Sequence, residues 1–93
     1  MSHEIEVNIR GIFAQKFLKE SFSLEIQKET PLAEIFRLID KKLKIKLFAK
    51  VKDEFPAGWV ILLNGDRINY FSDSTTVLKH QDQLSVLSAL GGG

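Results

Sequence analysis

The 93-residue chain sets thirteen Lys and Arg against twelve Asp and Glu, contains no cysteine and is 44% hydrophobic, which fits one self-folding domain with its own apolar core. The missing cysteines exclude a disulfide scaffold, a cysteine-based zinc or iron–sulfur site and a cysteine nucleophile, while a formal net charge of +1 supplies no global field for nucleic acid or an anionic membrane. The longest apolar run, Trp59 to Leu63, has five residues, far short of the ~20 that a membrane-spanning helix requires.

Met1-Ser2-His3-Glu4 has neither the basic start nor the apolar block of a secretory signal, so a cytoplasmic setting is expected. Glu4 to Arg10 then alternates polar and apolar residues, which places Ile5, Val7 and Ile9 on one face of a half-buried strand. After an intervening stretch from Phe13 to Glu20, the alternation returns at Phe22 to Gln27, and two strands this close should pair as a hairpin. Thr30-Pro31 reads as a helix start, with Thr capping free N–H groups and Pro tolerated at the first helical position. Leu32, Ile35, Phe36, Ile39 and Leu43 follow at three- and four-residue steps as one apolar stripe, with Glu34, Arg37, Asp40 and Lys41 assigned to the solvated side. Glu34 in the first turn and the lysines near the last suit the helix dipole.

From Leu43 to Phe55 the pattern is ambiguous: Leu43, Ile45 and Leu47 alternate with lysines, yet Leu43, Leu47 and Val51 also fit helical spacing. Pro56-Ala57-Gly58 breaks it. Trp59 to Leu63 is a buried strand ended by Asn64-Gly65-Asp66, whose Asn-Gly tolerates the positive φ of a tight turn. A polar stretch, Ser72 to Thr76, leads to Val77-Leu78, a turn at Lys79 to Asp82, and a last strand from Gln83 to Leu87. The order predicts an α+β fold of the β-grasp type, a mixed sheet on one main helix with the last strand parallel to the first at the sheet centre. A ferredoxin-like fold would need a second amphipathic helix after an intervening strand. Residues 1–87 form the domain and 88–93 a flexible glycine tail.

An autonomous active site is not visible. His3 and His80 have no metal-ligand spacing and read as exposed bystanders in a terminus and a turn. Asp40, Asp53, Glu54, Asp66, Asp73 and Asp82 are scattered, the last three in turns where Asp serves the backbone. Ser72, Ser74, Ser85 and Ser88 lack a nucleophile-elbow setting. Lys41, Lys42, Lys44, Lys46, Lys50 and Lys52 form a basic stretch, read first as a solvated face and second as an anion-attracting patch; few aromatics are interleaved for base stacking. The tail stands apart, because three of the six glycines are Gly91, Gly92 and Gly93. Without Cβ atoms such a segment can enter a tunnel closed to side chains. The six residues after Leu87 reach at most ~20 Å when extended.

The first strand running into Ile12-Phe13-Ala14, Thr30-Pro31-Leu32, Leu62-Leu63-Asn64-Gly65, Leu78 to Leu84 and the glycine end together resemble the ubiquitin-like sulfur carriers. The nearest branch is the small subunit of molybdopterin synthase; the thiamine-pathway carriers are more distant. The likeness spans the chain except Lys46 to Gly58. It departs from the family at His80-Gln81-Asp82, where Asp-Gly-Asp is usual, and at the end, which is one glycine longer than the usual Gly-Gly.

The resemblance implies that an ATP-dependent adenylating enzyme activates the Gly93 carboxylate, that a sulfur donor converts it to a thiocarboxylate, and that the tail delivers sulfur inside the synthase large subunit. Gly92 and Gly93 would carry the chemistry, and the role would pass to Gly92 if the last residue is trimmed. Leu87, Ala89, Leu90 and Gly91 would form the partner-binding tail, and by their position Leu87, Ala89 and Leu90 would make apolar contacts at the tunnel mouth. The chain would be a sulfur-donating subunit rather than a catalyst alone, with no bound cofactor or metal, ATP being used by its partner, and with no nucleic-acid or membrane partner. A sulfur carrier for thiamine or another pathway, a ubiquitin-like modifier joined through Gly-Gly and a plain interaction domain using the lysines are the alternatives.

Overall fold

The computed structural model describes residues 3–51, 55–68 and 76–88. Strands β1 (His3–Phe13) and β2 (Lys16–Ile26) are each eleven residues long and pair antiparallel from Phe13↔Lys16 to His3↔Ile26. The hairpin absorbs most of the stretch from Phe13 to Glu20 that the sequence pattern left between two shorter strands. Its turn is only Ala14-Gln15, both with positive φ (49° and 68°), as a twisted two-residue hairpin loop requires. Neither residue is the Gly, Asn or Asp that ordinarily announces such a turn.

Strand β3 (Thr30–Pro31) pairs with β6 (Val77–Leu78) in a separate two-stranded ladder, and helix α1 (Leu32–Leu43) follows directly. The expected Thr30 cap is corrected here. The Thr30 hydroxyl donates to the Lys28 carbonyl at 2.7 Å, Pro31 occupies the cap position in extended geometry with no side-chain cap bond, and the Leu32 N–H donates to the Thr76 carbonyl at 3.1 Å. The strand ladder therefore satisfies a donor that a hydroxyl cap would otherwise serve. The helix ends at Lys44, whose φ of 58° is left-handed and whose N–H donates to the Asp40 carbonyl, a common helix stop.

Across its described residues after α1, the ambiguous lysine-rich stretch is neither strand nor long helix but a loop with one 3-10 turn, Phe48–Lys50. Beyond it, β4 (Trp59–Leu63) turns through Asn64-Gly65, φ 54° and 87°, into β5 (Asp66–Ile68). The last strand, β7 (Gln83–Ser88), runs one residue farther than expected. The main sheet has five strands in the order β2-β1-β7-β4-β5. β7 lies parallel to β1 and antiparallel to β4, so the sheet is mixed and the last strand sits at its centre, as the sequence predicts. One helix covers one face: an α+β architecture compatible with a β-grasp fold.

Alternation along β1 buries Ile5, Val7 and Ile9 against Ile35, Phe36 and Ile39 of α1, with Leu84 and Val86 from β7 in the same cluster. An aromatic group closes one end of this core. Trp59 sits edge-on to Phe13 at 5.1 Å between ring centres and 5.5 Å from Phe48, and Phe48 is 5.6 Å from Phe36. Among the described residues no helix is long and apolar enough to cross a membrane.

Candidate functional site

The sequence directs attention to the segment after β7, so the site is built from that strand's end. Parallel pairing sets Ile9 beside Val86 and Arg10 beside Leu87; β7 thus leaves the sheet at the same end as the β1–β2 turn. Two contacts fix its last residue. The Ser88 hydroxyl donates to the Ile12 carbonyl at 2.6 Å, and Gly11, with φ 134°, lies so close that a Cβ there would be 2.5 Å from the Ser88 carbonyl oxygen. A glycine inside a strand pattern is the sequence signal for such a close backbone approach, and it passed unused beside the more conspicuous terminal glycines.

Of the predicted tail residues, Leu87 is half-buried on the sheet face away from α1, between Arg10 of β1 and Val60 of β4. Ala89, Leu90, Gly91, Gly92 and Gly93 lie outside the described residues. On the same face, Leu87, Asn8, Arg10, Lys19 and Ser21 line a groove of about 440 Å³. The Ser21 hydroxyl donates to Asn8 Oδ1 at 2.8 Å at one end of it. Arg10 and Lys19 are direct cross-strand partners, both exposed.

Asp40 corrects the sequence reading most sharply. Four residues beyond Phe36, it lies at the border of the apolar stripe and is buried, 7% exposed. Its Oδ2 accepts the N–H groups of Leu47 and Ala49 at 3.1 and 2.9 Å, and its Oδ1 accepts that of Phe48 at 2.9 Å. One carboxylate thus shapes the loop that seats Phe48 in the core. The lysines stand outside this knot: Lys41, Lys42, Lys44, Lys46 and Lys50 are exposed, Lys42 Nζ lies 5.6 Å from the Phe22 ring centre, and Lys52 falls outside the described residues.

At the opposite end of the sheet, the histidines are not bystanders. Their ring centres are 5.5 Å apart, and His80 Nδ1 accepts the Glu4 N–H at 3.1 Å. Strand pairing brings together what sequence spacing separates. Beside them Asp82 serves the backbone as expected: its Oδ2 accepts the Lys79 N–H at 2.8 Å, and its Oδ1 accepts a hydrogen bond from Asn64 Nδ2 at 2.9 Å. Gln81 takes the left-handed conformation, φ 73°. Among the described residues no group of three or more His, Asp or Glu could hold a metal ion.

No family model matches the chain, and no curated protein matches it. Among solved structures, the chain is similar to the Haloferax volcanii HVO 2177 protein, a solution structure, with a TM-score of 0.63 and 17% identity over 99% of this chain and 88% of that one. That likeness is one of fold.

Proposed function

We propose that the protein is a sulfur carrier of the ubiquitin-like kind, acting as the small subunit of molybdopterin synthase. The observation that supports this reading best is the placement of β7. A central strand parallel to β1 ends at Ser88, is held there by Gly11 and Ile12, and is followed in sequence by Ala89-Leu90-Gly91-Gly92-Gly93. A rigid base followed by a segment whose last three residues lack side chains suits delivery of a terminal group into another protein's active site.

In the proposed cycle the Gly93 carboxylate attacks the α-phosphorus of ATP in the adenylating enzyme, releasing pyrophosphate. A donor sulfur then displaces AMP from the acyl carbon to leave a thiocarboxylate. In the large subunit the thiocarboxylate sulfur attacks a carbon of the pterin precursor and displaces an oxygen leaving group, giving a thioester, and water then cleaves the acyl–sulfur bond, leaving the sulfur on the precursor and restoring the Gly93 carboxylate. The chain supplies the tether and the leaving acyl group, and its partners supply the acids and bases.

Incubation with the cognate adenylating enzyme, ATP and a sulfide source, followed by intact mass measurement, should show replacement of one oxygen by sulfur, and deletion of Gly92 and Gly93 should abolish it. Lysine-linked adducts on other proteins, with no sulfur gain, would instead establish a protein modifier. Pathway complementation by the deleted chain would leave the tail inert and sink both readings.

A further inference from the structure

The sheet face away from α1 changes character along its strands. Register pairs Glu4 with Glu25, Asn8 with Ser21, and Arg10 with Lys19. The face therefore runs from acidic at the His3 end, through the hydrogen-bonded Asn8–Ser21 pair, to basic at the end where β7 leaves the sheet. Beyond the basic pair, Ile12 stands opposite Phe17, which is 65% exposed, and Leu87 flanks Arg10 on the other side. This polarity is hidden in a chain of net charge +1.

Among the described residues neither Arg10 nor Lys19 has an ion-pair partner. Two cations set side by side across a strand pair repel each other, and they line one groove with Leu87 on its wall and a single carboxylate, Glu20, beside Lys19. An external anion placed between them would relieve that repulsion, and a guanidinium favours a planar, bidentate carboxylate.

We propose that Arg10 and Lys19 form a carboxylate-binding clamp for the protein that receives the tail. The partner presents an Asp or Glu to the groove, with an apolar contact against Leu87 and Phe17 beside it, while the acidic far end of the face repels the same surface and so sets the direction of docking. The inference rests on the carrier reading above and adds the chemistry of the partner's surface to it.

The test measures binding of the full chain to the cognate synthase large subunit by calorimetry at about 50 and about 300 mM salt, roughly a Debye length of 14 Å against one of 6 Å. Wild type should bind more weakly at the higher salt. R10E/K19E should weaken binding by about tenfold to a hundredfold at low salt and flatten the salt dependence. R10Q/K19Q, which adds no new charge, should fall between them and covers the case of a charge-reversed chain that folds poorly. R37E, altering an exposed helix residue paired with Glu34 at 3.5 Å, should change binding by less than about twofold.

Unchanged affinity and salt slope in both double variants would overturn the clamp while leaving the carrier reading intact. Saturable displacement of the large subunit by phosphate at constant ionic strength would make the groove a small-anion site and overturn it. So would a concentration-dependent dimer of the free chain that R10E/K19E abolishes, since the clamp's partner would then be a second copy. If wild type neither gains sulfur nor binds the large subunit, the carrier reading fails first and the clamp with it, a result visible without any variant.

Discussion

Asp40 illustrates how one residue can be misplaced by its chemistry. Charge alone assigns it to water, yet three backbone N–H groups converge on its carboxylate. Removing it strands those donors in a part-buried loop, and each unsatisfied group costs about 1–3 kcal/mol. Asp40→Ala should lose about 3 kcal/mol in chemical denaturation, and Asp40→Asn about 2 kcal/mol, because an amide offers one acceptor oxygen where the carboxylate uses two. A loss below about 0.5 kcal/mol in the Ala variant would mean that water replaces the carboxylate without cost. Gly11 is the second such position. A methyl group 2.5 Å from the Ser88 carbonyl oxygen, at φ 134°, must push β7 away or distort β1. Gly11→Ala should cost about 2–4 kcal/mol and shift the Ser88 amide resonance, whereas a thermal midpoint within a degree or two of wild type would contradict the close approach.

At the scale of elements, turns separate what was legible from what was not. Asn64-Gly65 announces its hairpin in the sequence because those residue types favour positive φ, and the structure uses both in that way. Ala14-Gln15 adopts the same kind of conformation without any such signal, so the sequence pattern marks the β1–β2 hairpin only short of its turn end. Replacing Ala14-Gln15 by Asn-Gly should therefore stabilise the protein by about 1 kcal/mol in urea melts, and no gain would argue that Ala14 and Gln15 make contacts of their own. Gln81→Gly belongs to the same class, with an expected gain of about 0.5–1 kcal/mol at a φ of 73°. The period-two and period-3.6 patterns revealed β1, α1 and β7 because each buries one face in a single core, whereas β4 showed as a continuous apolar run closed by a turn. The loop from Lys44 to Val51 carries two competing periods and follows neither, since its shape comes from a carboxylate on a different element. The Arg10–Lys19 pair was equally invisible, because a cross-strand neighbour depends on register and register depends on that unannounced turn. Within the candidate site, the sequence marked Leu87 and the terminal glycines but not the Gly11–Ser88 contact at their root.

For the whole molecule, the question is whether the Asp40 loop and the sheet fold as one unit. Trp59, the chain's single tryptophan, answers it, because its ring contacts both Phe48 in the loop and Phe13 in β1. Phe48 in turn meets Phe36 of α1, so loop, helix and sheet share one aromatic cluster with no seam between them. A domain of this size with a continuous core should unfold in one step. Tryptophan fluorescence, reporting the cluster, and far-ultraviolet circular dichroism, reporting strands and helix, should give urea midpoints that coincide. In Asp40→Ala the loop loses its anchor while the β1–β7–β4 ladder keeps its hydrogen bonds. If the loop is integral to the core, both midpoints fall together. If instead the fluorescence midpoint falls first by more than about 0.5 M urea, the loop opens as a separate unit of lower stability, and the single cooperative core described here is wrong. The distinction bears on the tail as well: Phe13 belongs to the cluster and lies next to Ile12, whose carbonyl holds Ser88. A loop that opened independently would loosen the end of β7, and the Ser88 amide should then lose hydrogen-exchange protection along with Phe48.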